Sequence, residues 1–183
     1  MAAYGFARKH FPGRDRFFLL YLATLMIPAQ VTLIPYFVII RKFGLMNTHL
    51  ALILPIDAFG VFLIRQFILT LPNDLLEAAT IDGCNEPQIF TLVVIPLIKA
   101  VLVSLTIFTF LSSWNDFIRP LIVMTKNEMQ TLTVALAVLK GNYLTNYGLV
   151  MAGATLTFLP PIVLYIILQK QFVEGIALSG IKA

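Results

Sequence analysis

The chain has 183 residues, of which 59% are hydrophobic and only 12% charged, with a net charge of +4 and a mean hydropathy of +0.90. A soluble domain carries about 25% charged residues; half that charge cannot cover a globular surface of this size, so the outer surface must face lipid. The basic balance fits loops flanking membrane spans, and no basic run is interleaved with aromatics as a nucleic-acid site would require, which argues against nucleic acid as a partner.

Crossing about 30 Å of hydrocarbon as a helix takes about 20 apolar residues. Residues 1–13 lack the apolar core and small-residue cleavage site of a signal peptide, and residues 1–16 read as a polar segment outside the membrane. Residues 17–40 are free of charge and long enough to span. A short polar turn with Gly44 and Asn47 follows. Residues 50–71 form a second candidate span, which carries Asp57 and Arg65. Residues 72–95 are a polar island. Residues 96–113 qualify again, with Lys99 near one end where it can snorkel. Residues 114–146 are a long loop whose apolar stretch, 131–139, is too short to cross and reads as a re-entrant or surface helix. Residues 147–168 are charge-free and long enough, and 169–183 form a tail. The expected fold class is therefore an all-α integral membrane protein with about four transmembrane helices. Pro28, Pro35, Pro55, Pro96, Pro120, Pro160 and Pro161 lie inside or beside the spans, where each removes a backbone donor and favours a kink.

Four spans place both termini and the polar island on one side of the membrane. That side carries Arg8, Lys9, Arg14, Arg16, Arg65, Lys99, Lys170 and Lys182, and the other carries Arg41, Lys42, Arg119, Lys126 and Lys140. Eight against five favours the first side as cytoplasmic.

The island has its own helical logic. Pro72, Asn73 and Asp74 are helix-start residues, since proline fits a first turn and an acidic side chain there complements the helix dipole. Leu75, Leu76, Ala79 and Ile81 supply an apolar side, with Glu77 and Asp82 elsewhere, and small Ala78 and Ala79 permit close approach of a partner surface. Gly83 is a natural stop because it accepts the left-handed backbone that many helix ends need. A second start follows at once: Asn85 as cap, Pro87 in the first turn and Gln88 three residues beyond the cap, as in a capping box. The island reads as helix, glycine turn, helix, leading into the next span at Pro96.

Glu77, Ala78, Ala79 and Gly83, with Val93, Ile95 and Pro96 at their offsets, resemble the EAA loop of bacterial ABC-importer permeases. Other stretches resemble the maltose-type, MalG-like carbohydrate branch of the binding-protein-dependent family. These are the Ala-rich residues 2–8, the turn Phe11-Pro12-Gly13-Arg14, residues 26–35, residues 60–67, and Ser113-Trp114-Asn115-Asp116-Phe117. The resemblance covers essentially the whole chain. It implies an ABC transporter type-1 transmembrane domain, made incomplete by the lack of the family's first span and most of its second. That would make the chain a fragment, the product of a mis-assigned start, or a truncated paralogue. It further implies a cytoplasmic coupling helix-turn-helix at 72–95, with Glu77, Ala78, Ala79, Asp82 and Gly83 docking on a separate ATPase. The implied partners are ATP-binding cassette ATPase subunits, a second permease subunit, an extracytoplasmic solute-binding protein and membrane lipid. The implied location is the bacterial plasma (inner) membrane, multi-pass, with both termini cytoplasmic. The implied function is a share of the translocation pathway for a sugar or related solute, with no catalysis on this chain and no cofactor.

Further candidates come from the residues alone. Asp57 and Arg65 are two helical turns apart, and an ionisable residue inside a span is a functional candidate; the alternative is a structural pair or a helix-end position. Asn115 and Asp116 follow the third span and are candidates for the solute path. Trp114 either stacks on a sugar or anchors the membrane interface. Cys84 is the single cysteine, so no internal disulfide forms, and His10 and His49 have no metal-ligand spacing. The tail residues 175–182 faintly resemble a phosphate loop but lack the required Gly-Lys-Ser/Thr ending. No catalytic constellation is evident. The rival classes are a secondary transporter or channel, which would need an ion-coupling group such as Asp57, and a non-functional remnant of a permease.

Overall fold

The computed structural model describes residues 1–54, 58–141 and 147–180, and all the regular structure among them is helical. In chain order the helices are α1 (Ala2–Arg8), α2 (Arg14–Ala23), α3 (Ala29–Lys42), α4 (His49–Ile53), α5 (Ala58–Thr70) and α6 (Asn73–Ile81). Then come α7 (Glu86–Gln88), a π-helical stretch Ile89–Val94, α8 (Ile95–Leu97), α9 (Lys99–Trp114), α10 (Ile118–Val123), α11 (Leu132–Gly141) and α12 (Tyr147–Gly180).

Tyr147–Gln169 is long and apolar enough to cross a membrane as one helix, and up to four spans result if each bent helix pair is counted as one. The apolar stretch 17–40 is built from two helices. α2 ends at Ala23, a 3-10 turn covers Thr24–Met26, and α3 begins after Pro28. The missing proline N–H and the steric push of its ring on the preceding residue account for the break. In the stretch 50–71, α4 stops at Ile53 and α5 starts at Ala58. Pro55 and Asp57 lie outside the described residues, so the sequence expectation for Asp57 has no structural counterpart. The stretch 96–113 begins one short helix early: the segment Glu86–Leu97 meets α9 at 76°, with Ile98 out of helical geometry at the joint (φ −96°, ψ 12°). α12 keeps Pro160 and Pro161 inside it and continues to Gly180, well past the expected end of the span at 168.

The chain divides into two compact units: Met1–Met26, Asp57–Thr106 and Leu168–Ala183 in the first, Ile27–Ile56 and Ile107–Ile167 in the second. In the first unit, α1 packs along α5. Ala3 and Ala7, one turn apart, are small enough to let the two backbones approach, and they join Tyr4, Ile68, Ala79, Ile89, Val94, Ile98 and Val101 in one buried cluster. In the second unit, Ile40, Ala51, Val123 and Met124 form the core, joining α3, α4 and α10. The polar turn after α3 ties itself to the chain beyond α10. Asn47, with a positive φ of 57°, donates from its amide nitrogen to Thr125 Oγ1 (3.0 Å) and accepts at Oδ1 from the Lys126 N–H (2.9 Å). Large apolar side chains such as Val31, Ile34, Leu156 and Phe158 stand exposed along the long helices. A surface of that kind belongs in lipid.

Candidate functional site

The island at 72–95 folds as helix, turn, helix. Pro72 sits at the N-cap of α6 with extended backbone (φ −60°, ψ 137°), and Asp74 occupies the first turn. At the other end, Gly83 adopts φ +85°. The Cys84 N–H donates to the Ala79 carbonyl and the Gly83 N–H to the Thr80 carbonyl, both at 3.0 Å. This is the paired 6→1 and 5→2 bonding of a Schellman ending, with Cys84 and Ala79 supplying its apolar contact. Asn85 then caps the next helix reciprocally: its Oδ1 accepts from the Gln88 N–H (3.1 Å), and Gln88 Oε1 accepts from the Asn85 N–H (2.8 Å). A Cβ at position 83 would meet nothing within 4 Å, so the need for glycine is a backbone need. Gly83→Ala is therefore expected to lower stability by about 1 kcal/mol, and Gly83→Asn by less. Thermal unfolding of the detergent-purified chain measures both, and an Ala variant as stable as the parent would refute the strain argument.

Burial divides α6 into two faces. Leu76 and Ala79 turn inward onto the buried cluster, with Ala79 only 7% exposed. Asp74, Glu77, Ala78 and Ile81 stand outward at helical spacing and are all exposed, as is Asp82 beyond them. Ile81 is 86% exposed and Leu75 43%, so two of the four residues expected to supply the apolar side of this helix face outward instead, and only Leu76 and Ala79 turn inward. The two alanines expected to admit a partner side by side are thus separated: Ala78 faces out, and Ala79 packs inside the chain itself. Directly after the second turn, the π-helical stretch Ile89–Val94 precedes Pro96; such stretches concentrate at functional positions.

Among the described residues, the candidates Trp114, Asn115 and Asp116 lie in the second unit and Arg65 in the first. The Nε of Arg65 donates to the Phe6 carbonyl (3.2 Å) and its guanidinium stacks on Phe18 at 4.0 Å from the ring centre. Asn115 donates from its amide to the Leu111 carbonyl (2.9 Å), closing the end of α9. Asp116 accepts from Arg119 Nε at 2.5 Å. Both Asn115 and Asp116 line a cavity of about 700 Å³ with Gln30, Thr32 and Tyr36. Asp116 and Arg119 also form part of the wall of a second cavity, about 350 Å³, with Trp114, Thr131 and Thr133. The Thr131 hydroxyl is buried there with no hydrogen-bond partner among the described residues.

Trp114 takes a role that neither sequence reading named. Its indole Nε1 donates to the Thr157 carbonyl at 2.9 Å. Thr157 stands four residues before Pro161, so the carbonyl has no helical N–H to accept from. The signal was present in the sequence as a proline without a visible remedy; the donor, 43 residues away, was not.

A helical chain with a lipid-suited surface and a helix-turn-helix island between apolar segments has the form of the membrane component of a transporter. The model of the family described as "Binding-protein-dependent transport system inner membrane component" matches residues 1–177, and the chain belongs to that family. It is 41% identical over 184 residues to the arabinooligosaccharides transport system permease protein AraQ of Halalkalibacterium halodurans, covering 100% of this chain and 66% of that one. It is 35% identical to the lactose transport system permease protein LacG of Rhizobium radiobacter, covering 100% and 67%. Against the sn-glycerol-3-phosphate transport system permease protein UgpE of Pectobacterium atrosepticum the identity is 34%, covering 96% and 64%. The chain thus spans about two thirds of the length of the curated relatives it matches. Among solved structures it is similar to a chain of a bacterial ABC transporter involved in the import of the acidic polysaccharide alginate. The TM-score is 0.82 and the identity 26%, over 93% of this chain and 66% of that one. The family read from the motif at 77–83 is the family that the whole chain matches.

Proposed function

We propose that this chain is a permease subunit of an ATP-driven importer and contributes to the translocation path for a sugar or related solute. The outward stripe of α6 docks on a separate ATPase subunit, where hydrolysis takes place. The observation that carries the reading is the division of α6 into a buried face anchored by Ala79 and an exposed face presenting Asp74, Glu77, Ala78 and Ile81. An acidic rim around a protruding aliphatic side chain is a polar-rimmed anchor, the composition of a docking surface. The Schellman turn at Gly83 and the capped start at Asn85 make the loop stiff enough to pass on a push. The names of the relatives favour carbohydrate and related solutes. Asn115 and Asp116, with Gln30, Thr32 and the unpartnered Thr131 hydroxyl, offer the donors and acceptors a polyhydroxylated solute requires. The remaining partners on this reading are a second permease subunit and an extracytoplasmic binding protein. The chain lies in the plasma membrane with both termini cytoplasmic, as the Lys and Arg distribution favours.

Co-purification tests the docking. Glu77→Lys in the assembled transporter should cut retention of the cognate ATPase at least roughly tenfold, equal to about 1.4 kcal/mol, while the chain still inserts and keeps its thermal stability. Undiminished retention would remove the reading.

A further inference from the structure

α1 holds both ends of the docking loop, and the bonds that do so converge on three side chains. Arg8, the last residue of α1, donates from Nη2 to the Ile68 carbonyl (2.6 Å) and the Leu71 carbonyl (2.5 Å). Its Nη1 donates to Asn73 Oδ1. These acceptors mark the elbow where α5 ends and α6 begins, a bend of 77°. Pro72 stands four residues after Ile68 and has no N–H to give, so the Ile68 carbonyl has only a 3-10-type bond from the Leu71 N–H (3.2 Å) besides Arg8. At the far end of the loop, the Tyr4 hydroxyl donates to Glu86 Oε2 at 3.0 Å and Lys9 Nζ pairs with Glu86 Oε1. Tyr4 is 8% exposed. Burial first, and then its bond to Glu86, push its phenol up to about 12, so it remains a donor throughout the physiological range. Beside these attachments, Ala3 and Ala7 are packed into the same cluster as Ala79.

We infer that α1 is the fulcrum of the coupling loop, and that Arg8 is the positioning residue that makes α5 and α6 move as one lever. The inference rests on the docking reading. With Arg8 in place, the α5–α6 angle is fixed by a planar guanidinium whose fork spans three acceptors, so a displacement of α6 passes into α5. Without it, the Ile68 carbonyl keeps only the Leu71 N–H (3.2 Å), the Leu71 carbonyl loses the guanidinium, and the elbow bends freely.

The test uses the transporter assembled with its cognate ATPase, with and without a non-hydrolysable ATP analogue, read by amide hydrogen exchange. In the parent, the analogue should change exchange in both α6 and α5. In Arg8→Ala and Asn73→Ala, the change in α6 should persist, while the change in α5 falls at least threefold for Arg8→Ala and by a smaller factor for Asn73→Ala. Arg8→Lys should recover at least half of the α5 response, because an ammonium still donates to carbonyls. Asn73→Ala decides the matter if Arg8→Ala fails to accumulate, since it leaves the carbonyl contacts intact. Parent-like α5 responses in the variants, or an α5 that does not respond in the parent, would overturn the inference. An α6 that does not respond in the parent would instead overturn the docking reading.

Discussion

Trp114→Phe is expected to lower the stability of the chain by about 2 kcal/mol, and most of that loss should vanish in a Pro161→Ala background. The indole N–H is the donor to the Thr157 carbonyl, in a helix whose hydrogen-bond ladder Pro161 interrupts. The bond is partly buried; an acceptor left there without a donor costs about 1–3 kcal/mol, and lipid offers no replacement. Phenylalanine keeps the stacking on Phe110, whose ring lies 5.5 Å away and 18° from parallel, so the substitution isolates the hydrogen bond together with a modest loss of area. Alanine at 161 restores a backbone N–H that reaches the same carbonyl four residues back. The double variant should therefore be more stable than the sum of the single effects by about 1.5 kcal/mol. Reversible unfolding in mixed detergent micelles measures the cycle; strict additivity would show that Trp114 and Pro161 are energetically unrelated.

The same relation recurs. Ile68 stands four residues before Pro72 and receives Arg8; Ala51 stands four before Pro55 and receives the Tyr36 hydroxyl; Thr157 stands four before Pro161 and receives Trp114. In each case the sequence shows the proline whose N–H is missing, though at Ile68 the Leu71 N–H also reaches the carbonyl (3.2 Å). The donors come from 60, 15 and 43 residues away. Arg, Tyr and Trp are long side chains whose polar ends reach beyond an apolar or aliphatic stem, which suits them to this task within a largely apolar protein.

This shows where the sequence was legible. The starts and stops of the island were readable: proline start, glycine stop and the Asn85–Gln88 capping box are all matters of residues within a few positions of each other, and each is present in the structure. The helical class followed from composition, because a chain with so few charges has to satisfy its backbone internally. What could not be read was tertiary. Hydropathy treats 17–40 as uniform, whereas a single N–H missing at Pro28 divides it. An Ala-Ala pair gives no hint that one methyl faces out and the other in, since that depends on where α1 lies. Asn115 and Asp116 were legible as polar residues at the end of a span, but their engagement with the Leu111 carbonyl and Arg119 depends on how the chain turns after α9.

The adjacent alanines of α6 provide the sharpest expected contrast. Ala79→Asp should destabilise the chain by several kcal/mol, because a carboxylate at a position 7% exposed, among Tyr4, Ile68 and Ile89, gains no partner for its charge. Ala78→Asp, one residue away, should change stability by no more than about 0.5 kcal/mol, since its side chain points to solvent. On the docking reading the second substitution is nonetheless the one that severs the ATPase. It adds a fourth carboxylate beside Asp74, Glu77 and Asp82 and raises a bulky charged group next to the Ile81 anchor. Retention of the ATPase should fall at least roughly tenfold, equal to about 1.4 kcal/mol of binding. Thermal unfolding and co-purification, measured on both variants, separate the two effects. A stable Ala79→Asp chain would mean that α6 is not seated on its own core as described. An Ala78→Asp chain that still retains the ATPase would mean that the outward stripe is not the docking face.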